Sequence, residues 1–210
     1  TIILSLLNGI TSEERIAAAY PQAHVLYGLC MSIAANRNGN QIQFESPGRI
    51  YFGDQDNRVL SPQVQAVPQL FQQAGIESIV PEDMLRMLWF KFMLNVGVNQ
   101  TTALLRAPYS IIHRSPEARE IMDAAMWEVI HLAQTRGVTL GQEDIDQCYQ
   151  ILFKLDPESR TSMCDDVLAG RKSEIEEFAG TVCRLGKECG IATPMNHFLN
   201  LAITSMESVS

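Results

Sequence analysis

Three polar residues recur at four-residue spacing between positions 91 and 99. Lys91, Asn95 and Asn99 interrupt a run whose other members are almost all apolar. In a helix, successive members of such a series are displaced by about 40° around the axis and about 6 Å along it, so they form one polar stripe. One ammonium and two amides suit a polar acyl or hydroxy-acid ligand. The spacing equally allows a stripe that faces solvent or joins a structural hydrogen-bond network.

A second set of candidate residues lies at Arg160-Thr161-Ser162-Met163 and at Ser173-Glu174-Ile175. Glu174 lies twelve positions after Ser162, across a predicted turn at Gly170, so the starts of two helices can approach each other. Taken singly, a serine near a helix start is usually a cap, and a glutamate in a first turn usually complements the helix dipole. Asn8-Gly9, taken singly, likewise indicates a turn more often than a ligand-binding site.

Residues 1–80 change pattern often, which is typical of an α/β segment. Ser12 is the predicted cap of a short helix that opens with two acidic residues. Ser61 is the predicted cap of a second helix, which has Pro62 at its first position and ends at Gly75. Pro47-Gly48 predicts a turn between two strands. The predicted order is β-α-β-β-β-α-β, with strands at 1–6, 25–35, 41–45, 49–52 and 76–80.

From residue 81 onward the pattern is helical throughout. Ser115-Pro116, Ser173-Glu174 and Thr193-Pro194 are helix starts, and Gly137, Gly170 and Gly190 are helix ends. The helices are predicted at 82–106, 116–135, 142–154, 159–169, 173–189 and 194–207. The sequence therefore predicts α/β followed by all-α, with domains at 1–80 and 81–210.

Composition excludes several classes of protein. A net charge of −8 argues against a nucleic-acid binder, and no apolar run reaches the roughly 20 residues of a membrane span. Five cysteines without a CxxC pair indicate reduced thiols and a cytoplasmic location. The four histidines lie too far apart for a zinc site, so no metal is expected. The strand-like start at Thr1 suggests a chain cut from a longer protein.

Together these segments resemble the ketopantoate reductases (2-dehydropantoate 2-reductases) along the whole chain. The resemblance rests on Asn8-Gly9, Pro47-Gly48, the Lys-x-x-x-Asn-x-x-x-Asn helix from Lys91, and Ser162-Met163 followed by Glu174. In that family a Rossmann domain precedes a helical domain of the 6-phosphogluconate-dehydrogenase type, and NADPH and ketopantoate bind between them. The resemblance implies that residues 1–80 are the second half of the Rossmann domain and that 81–210 are the helical domain.

The resemblance also implies roles for individual residues. Lys91 matches the catalytic lysine, which protonates the carbonyl oxygen as hydride reaches the ketone carbon. The substrate-binding matches are Asn95, Asn99 and Ser162, and the cofactor-binding matches are Asn8, Ala35 and Glu174. Tyr109 departs from the family pattern, because some members have an asparagine there that contacts substrate. This difference leaves the identity of the 2-keto acid open.

The implied activity is NADPH-dependent reduction of ketopantoate to pantoate in pantothenate and coenzyme A biosynthesis. The G-x-G-x-x-G loop that binds the pyrophosphate of dinucleotides occurs nowhere in the sequence, so the 210 residues alone are expected to be inactive. An uncovered sheet edge is expected to favour self-association, with a homodimer as the expected state. The alternatives are a reductase of another 2-keto acid and a helical association module without catalysis.

Overall fold

The computed structural model describes residues 1–209, apart from the side chains of residues 32, 34–38 and 45. Its contacts divide the chain into two compact units, Thr1–Leu88 and Trp89–Ser210. We call them the N-terminal unit and the helical unit. The predicted succession of an α/β segment and an all-helical segment is confirmed.

The N-terminal unit contains a four-stranded mixed sheet in the order β1-β2-β3-β4. The β1–β2 and β3–β4 pairs are parallel, and the β2–β3 pair is antiparallel. The strands are β1 (Ile2–Leu4), β2 (His24–Asn38), β3 (Gln41–Gly53) and β4 (Ser78–Ile79), and the helices are α1 (Ser12–Ala19), α2 (Pro62–Ala66) and α3 (Pro68–Gln73).

The predicted turn at Pro47-Gly48 is wrong, because β3 runs through it as one strand. Pro47 pairs with Ile33 in the ladder to β2, and the register shifts between Ala34 and Ala35. Gly48 has a φ of 67°, and a Cβ atom there would lie against the backbone oxygen of Met31. A glycine that a strand needs for such a close approach gives the same sequence signal as a turn glycine.

The predicted cap of α1 is wrong, because Ser12 is the first residue of that helix and Thr11 before it makes no side-chain cap hydrogen bond.

The predicted helix after Ser61 is present but divided. The Ser61 hydroxyl accepts a hydrogen bond from the Val64 amide at 3.3 Å, so the predicted cap is confirmed. Pro68 begins a separate helix, since a proline cannot donate the backbone hydrogen bond that continues the first one. Gly75 ends this second helix with a φ of 69°.

Two small clusters form the core of the N-terminal unit. Leu26, Phe52 and Val64 are fully buried in one of them. Leu29 packs with Met84 and Leu88 in the other, so the first turn of the next helix belongs to this unit. The division between the two units therefore falls inside a continuous helix, after Leu88.

That helix is α4 (Met84–Leu105), and six more α-helices follow it among the described residues. They are α5 (Ser110–Arg114), α6 (Pro116–Thr135), α7 (Gln142–Leu152), α8 (Ser162–Leu168), α9 (Thr181–Cys189) and α10 (Pro194–Glu207), with a π-helical segment at Glu176–Gly180 before α9. Ser115 caps α6 by accepting from the Ala118 amide at 3.1 Å, and Gly190 ends α9 with a φ of 69°. The sequence pattern missed α5 and the π-helical segment.

Helix α4 packs closely within the helical unit. A Cβ atom at Gly97 would lie 2.7 Å from Cγ of Met126 and 3.0 Å from Cγ of Met122, so α4 and α6 touch at this glycine. The ring of Phe92 lies 6.4 Å from that of Phe178 in the π-helical segment. Among the described helices, none is both long and apolar enough to cross a membrane.

Candidate functional site

Helix α4 places the predicted polar stripe among buried apolar side chains. Phe92 and Val96 are at most 1% exposed, whereas Lys91 and Asn95 are half-buried. Asn99 is only 8% exposed, so the stripe passes from a partly accessible end into the interior. The interpretation as a stripe fully exposed to solvent is therefore wrong, and a site wall or a structural network remains.

The residues after Asn99 continue the polar run in the interior. Gln100, Thr101 and Thr102 are all 0% exposed. The Gln100 amide donates from Nε2 to the Val96 carbonyl at 2.6 Å and to Oδ1 of Asn196 at 3.0 Å. Sequence reasoning missed this network, although four consecutive polar residues in an apolar helix were its signal.

Glu128 holds the other end of this network at the start of α10. Its carboxylate accepts from the amides of Met195 and Asn196 at 2.7 and 2.9 Å and from Nδ2 of Asn196 at 2.7 Å. The residue before α10, Thr193, makes no side-chain cap hydrogen bond. A buried carboxylate from α6 therefore satisfies amides that a helix start leaves without intrahelical partners.

Ser162 is the first residue of α8 and is exposed. The cap of this helix is its neighbour Thr161, whose hydroxyl accepts from the Cys164 amide at 3.1 Å. The Thr161 hydroxyl also lies 2.8 Å from the hydroxyl of Thr102 on α4. The interpretation of Ser162 as the cap is thus wrong. Through Thr161, the segment that contains Ser162 is hydrogen-bonded to the end of α4 that carries Asn99.

Glu174 is half-buried and lies just before the helical turns that lead into α9. Its neighbour Ser173 donates to Oε1 of Glu207 from both its amide, at 2.9 Å, and its hydroxyl, at 2.5 Å. π-Helical turns such as the one that follows Glu174 are rare and frequently occur at functional sites. Contacts therefore connect α4 to the segment of Ser162, through Thr161, and to the segment that follows Glu174, through Phe178.

Asn8 belongs to the N-terminal unit and lies half-buried in the loop between β1 and α1. This loop follows the carboxyl end of a parallel strand, which is where ligands bind in α/β sheets. The hydroxyls of Ser5 and Ser12 meet at 2.7 Å across it. On β2, a Cβ atom at Gly28 would lie against the backbone oxygen of Ser5, so the strand and the loop are in close contact.

The remaining predicted residues differ in how far they are described. Ala35 pairs with Phe44 through its backbone, but its side chain lies outside the described residues. Burial, and then the charges of Asp165 and Cys164, raises the pKa of Tyr109, which is therefore a neutral phenol close to α8. No group of three or more potential metal-ligating side chains occurs among the residues described.

The chain matches the models of a known protein family over most of its length. Residues 83–207 match the family model "Ketopantoate reductase PanE/ApbA C terminal", and residues 1–57 match "Ketopantoate reductase PanE/ApbA". The chain belongs to the ketopantoate reductase family. Its 2-dehydropantoate 2-reductase relative from Pyrobaculum aerophilum is 30% identical over 205 residues, which cover 96% of this chain and 68% of the relative. The relative of the same name from Halobacterium salinarum is 26% identical over 92% of this chain and 63% of its own length.

Solved structures show that the ketopantoate reductase fold is present. A 2-dehydropantoate 2-reductase from Methylococcus capsulatus has a TM-score of 0.85 at 27% identity, covering 99% of this chain and 66% of that one. A D-mandelate dehydrogenase in complex with NADH has a TM-score of 0.89 at 22% identity, covering 100% of this chain and 71% of that one. The predicted fold class is confirmed, and the chain spans about two thirds of the relatives that it matches.

Proposed function

We propose that the full-length protein containing this chain catalyses the NADPH-dependent reduction of 2-dehydropantoate to pantoate, a step of pantothenate biosynthesis. The observation that carries the proposal is the order of Lys91, Asn95 and Asn99 on α4, running from a half-buried end to a buried one. A cation at the accessible end and amides further in suit a small anion with a reactive carbonyl. We infer 2-dehydropantoate as the substrate because two relatives of this chain are named 2-dehydropantoate 2-reductase.

Lys91 is proposed as the acid of this reaction. NADPH, when bound, would supply the hydride that reduces the ketone carbon, and the Lys91 ammonium would give a proton to the ketone oxygen as negative charge develops there. The lysine then recovers its proton from water.

Asn95, Asn99 and Ser162 are proposed to bind the substrate. Amide and hydroxyl groups donate hydrogen bonds to carboxylate oxygens without adding charge, and both amides follow Lys91 on the same stripe of α4. The exposed Ser162 hydroxyl is free from the cap of α8, because Thr161 makes that cap. These groups fix the keto acid so that its carbonyl oxygen lies at the Lys91 end.

We propose that the residues present hold the nicotinamide end of the cofactor rather than its phosphates. Asn8, in the loop at the carboxyl end of β1, is proposed to contact the nicotinamide, and Glu174 is proposed to lie where cofactor and substrate meet. Ala35 is proposed to pass beside the cofactor. The sequence contains no G-x-G-x-x-G loop for the pyrophosphate, so we propose that residues 1–210 alone do not oxidise NADPH. Positioning can supply roughly 7–11 kcal/mol of a barrier, and this contribution is absent without that anchorage.

We further propose a homodimer. The ketopantoate reductase from Staphylococcus aureus is described as dimeric and has a TM-score of 0.86 to this chain. Sedimentation equilibrium of the full-length protein tests this, and a monomer at high concentration contradicts it.

A second candidate is a reductase of a different 2-keto acid. Tyr109 favours it, since a half-buried phenol kept neutral replaces an amide of some family members. An aromatic ring packs better against an apolar group than against a hydroxyl group. Tyr109 therefore favours a 2-keto acid whose side chain is larger and apolar over one that carries a hydroxyl group. In this case Tyr109→Asn is expected to shift the preference toward 2-dehydropantoate.

NADPH absorbance in the full-length protein tests both candidates. Turnover with 2-dehydropantoate that exceeds turnover with other 2-keto acids supports the first, and the reverse order supports the second. Absence of turnover with every 2-keto acid contradicts both and favours an association module. The same assay with residues 1–210 alone is expected to give no signal above the background rate.

A further inference from the structure

A pair of buried hydroxyl groups connects α4 to the start of α8. Thr102 is 0% exposed and Thr161 is 3% exposed, and their Oγ1 atoms lie 2.8 Å apart. The Thr102 oxygen also lies 2.8 Å from the Val98 carbonyl and 3.2 Å from the Asn99 carbonyl. The Thr161 oxygen accepts from the Cys164 amide as the cap of α8.

Counting protons gives this chain of hydrogen bonds a direction. Each hydroxyl has one proton to donate. If Thr161 donates to Thr102, then Thr102 can donate to the carbonyls of Val98 and Asn99, and both protons have acceptors. The hydrogen bonds then run from the Cys164 amide through both threonines to the backbone of α4, which fixes the cap of α8 against the turn containing Asn99.

We infer that Thr102 and Thr161 are positioning residues that hold Ser162 at a fixed distance from Asn99. The inference rests on the proposed function, in which both of these residues bind the 2-keto acid. Ser162 follows Thr161 directly, so the direction of its side chain depends on the cap conformation of Thr161. A substrate held from two segments requires both to keep their spacing, and errors of about 1 Å can cost 100-fold in rate.

The adjacent Thr101 provides a matched control. It is also 0% exposed on the same helix, and its hydroxyl has no hydrogen-bond partner in the part of the chain that the structure describes. Thr101→Val and Thr102→Val therefore each replace a hydroxyl group with a methyl group at neighbouring buried positions. Only the second substitution removes the connection to α8.

The experiment measures kcat, both KM values and the melting temperature of the full-length protein. Thr102→Val is expected to raise the KM for the 2-keto acid about tenfold, as loss of one buried hydrogen bond can do, and to leave the KM for NADPH unchanged. Thr102→Ser keeps the hydroxyl and is expected to stay within about threefold of the parent, and Thr101→Val is expected to leave both KM values unchanged. Thr102→Ala replaces Thr102→Val if the valine variant does not fold.

A double-mutant cycle with Ser162→Ala separates this inference from the proposed function. If Thr102 acts through Ser162, Thr102→Val changes the KM less in the Ser162→Ala background than in the parent. The inference is overturned if Thr102→Val changes the KM by the same factor in both backgrounds. It is also overturned if Thr102→Val lowers the melting temperature but leaves the kinetics unchanged. If Ser162→Ala and Asn99→Ala leave the KM for the 2-keto acid unchanged, the proposed substrate site is wrong, and the inference that rests on it is overturned as well.

Discussion

The two units hold their candidate residues by different means. In the helical unit, Lys91, Asn95 and Asn99 lie on one long helix whose apolar neighbours are buried. In the N-terminal unit, Asn8 lies in an irregular loop whose path depends on a close approach between Gly28 and Ser5. Side chains on the helix can therefore be exchanged to test chemistry, whereas the loop is sensitive to changes in the backbone packing beneath it.

The largest expected effect concerns Lys91 on α4, in the helical unit. We expect Lys91→Ala in the full-length protein to lower kcat about 10²–10⁴-fold, because the variant loses the proposed general acid. NADPH affinity and the melting temperature are expected to change little, since the role of Lys91 concerns the transition state. Stopped-flow turnover and a fluorescence titration with NADPH measure the two quantities.

Lys91→Arg sharpens the same test. Arginine keeps the positive charge but is too weak an acid to release a proton, so kcat is expected to stay well below that of the parent. Turnover of Lys91→Ala within a few-fold of the parent contradicts the assigned role. A large loss of stability in Lys91→Ala contradicts the view that the helix tolerates such exchanges.

The next effect concerns the loop of the N-terminal unit. Gly28→Ala is expected to lower the free energy of unfolding by about 1–3 kcal/mol, because the new methyl group meets the Ser5 backbone oxygen and lies 2.6 Å from Cδ1 of Leu4. The displaced loop carries Asn8, so the KM for NADPH is expected to rise as well. Urea unfolding and steady-state kinetics measure the two changes.

Gly141→Ala is the control for this substitution. Its Cβ atom would have no neighbour within 4 Å, and Gly141 has an extended backbone with a φ of −165°. Gly141 is the N-cap of α7, where alanine is less favourable than glycine, so a loss of stability smaller than that of Gly28→Ala is expected, with the KM for NADPH close to that of the parent. If the two alanine variants lose equal stability, the close approach at Gly28 is not what holds the loop.

The same contrast explains what the sequence could predict. Helix starts such as Ser61-Pro62 and Ser115-Pro116 are local signals, because the cap and the amides that it satisfies lie within three residues. Pro47-Gly48 was misinterpreted since its role depends on Met31, on the neighbouring strand. The π-helical segment at Glu176–Gly180 has no local signal that we can identify.

The candidate site divides in the same way. The i, i+4, i+8 stripe on α4 depends on one helix and was predictable from spacing. The hydroxyl pair Thr102–Thr161 and the carboxylate of Glu128 at the start of α10 join residues distant in sequence, so spacing could not reveal them. Family resemblance supplied the residue roles that neither spacing nor composition contains.

A smaller effect is expected at the end of α4. Arg106 has a φ of 50°, and the amides of Arg106 and Ala107 close the helix on the carbonyls of Ala103 and Thr102. This pattern usually contains glycine in place of Arg106, because other residues are strained in the left-handed conformation. Arg106→Gly is expected to raise the free energy of unfolding by about 0.5–1 kcal/mol, after the added entropy of the unfolded chain is subtracted.

Arg136→Gly is the matched control, measured by the same urea unfolding. Arg136 also follows a helix of this unit, but its φ is −96°, so glycine relieves no strain there. We expect the control to be neutral or destabilising. Equal stabilisation by both glycine variants contradicts strain at Arg106 and points to a loss of charge as the cause.

The smallest expected effect is a change in how stability depends on pH, and its sign differs between two carboxyl groups, Glu13 in the N-terminal unit and Glu117 in the helical unit. In the N-terminal unit, burial raises the pKa of Glu13 above its ordinary value of 4.5, although hydrogen bonds to backbone and to Ser12 oppose this. The stability that Glu13 contributes is therefore complete below pH 4.5 and is lost as the pH rises through the folded value. Relative to the parent, Glu13→Gln should gain stability as the pH rises from 4 to 7.

Glu117 in the helical unit should show the opposite behaviour. Hydrogen bonds from its own backbone amide and from Ser115 lower the pKa of this exposed carboxyl, so its contribution is present above pH 4.5 and is lost as the pH falls through the folded value. Relative to the parent, Glu117→Gln should therefore lose stability as the pH rises. Urea unfolding of both variants and the parent at several pH values measures the two slopes. Slopes of the same sign would contradict the inference that burial dominates at Glu13 and hydrogen bonding at Glu117.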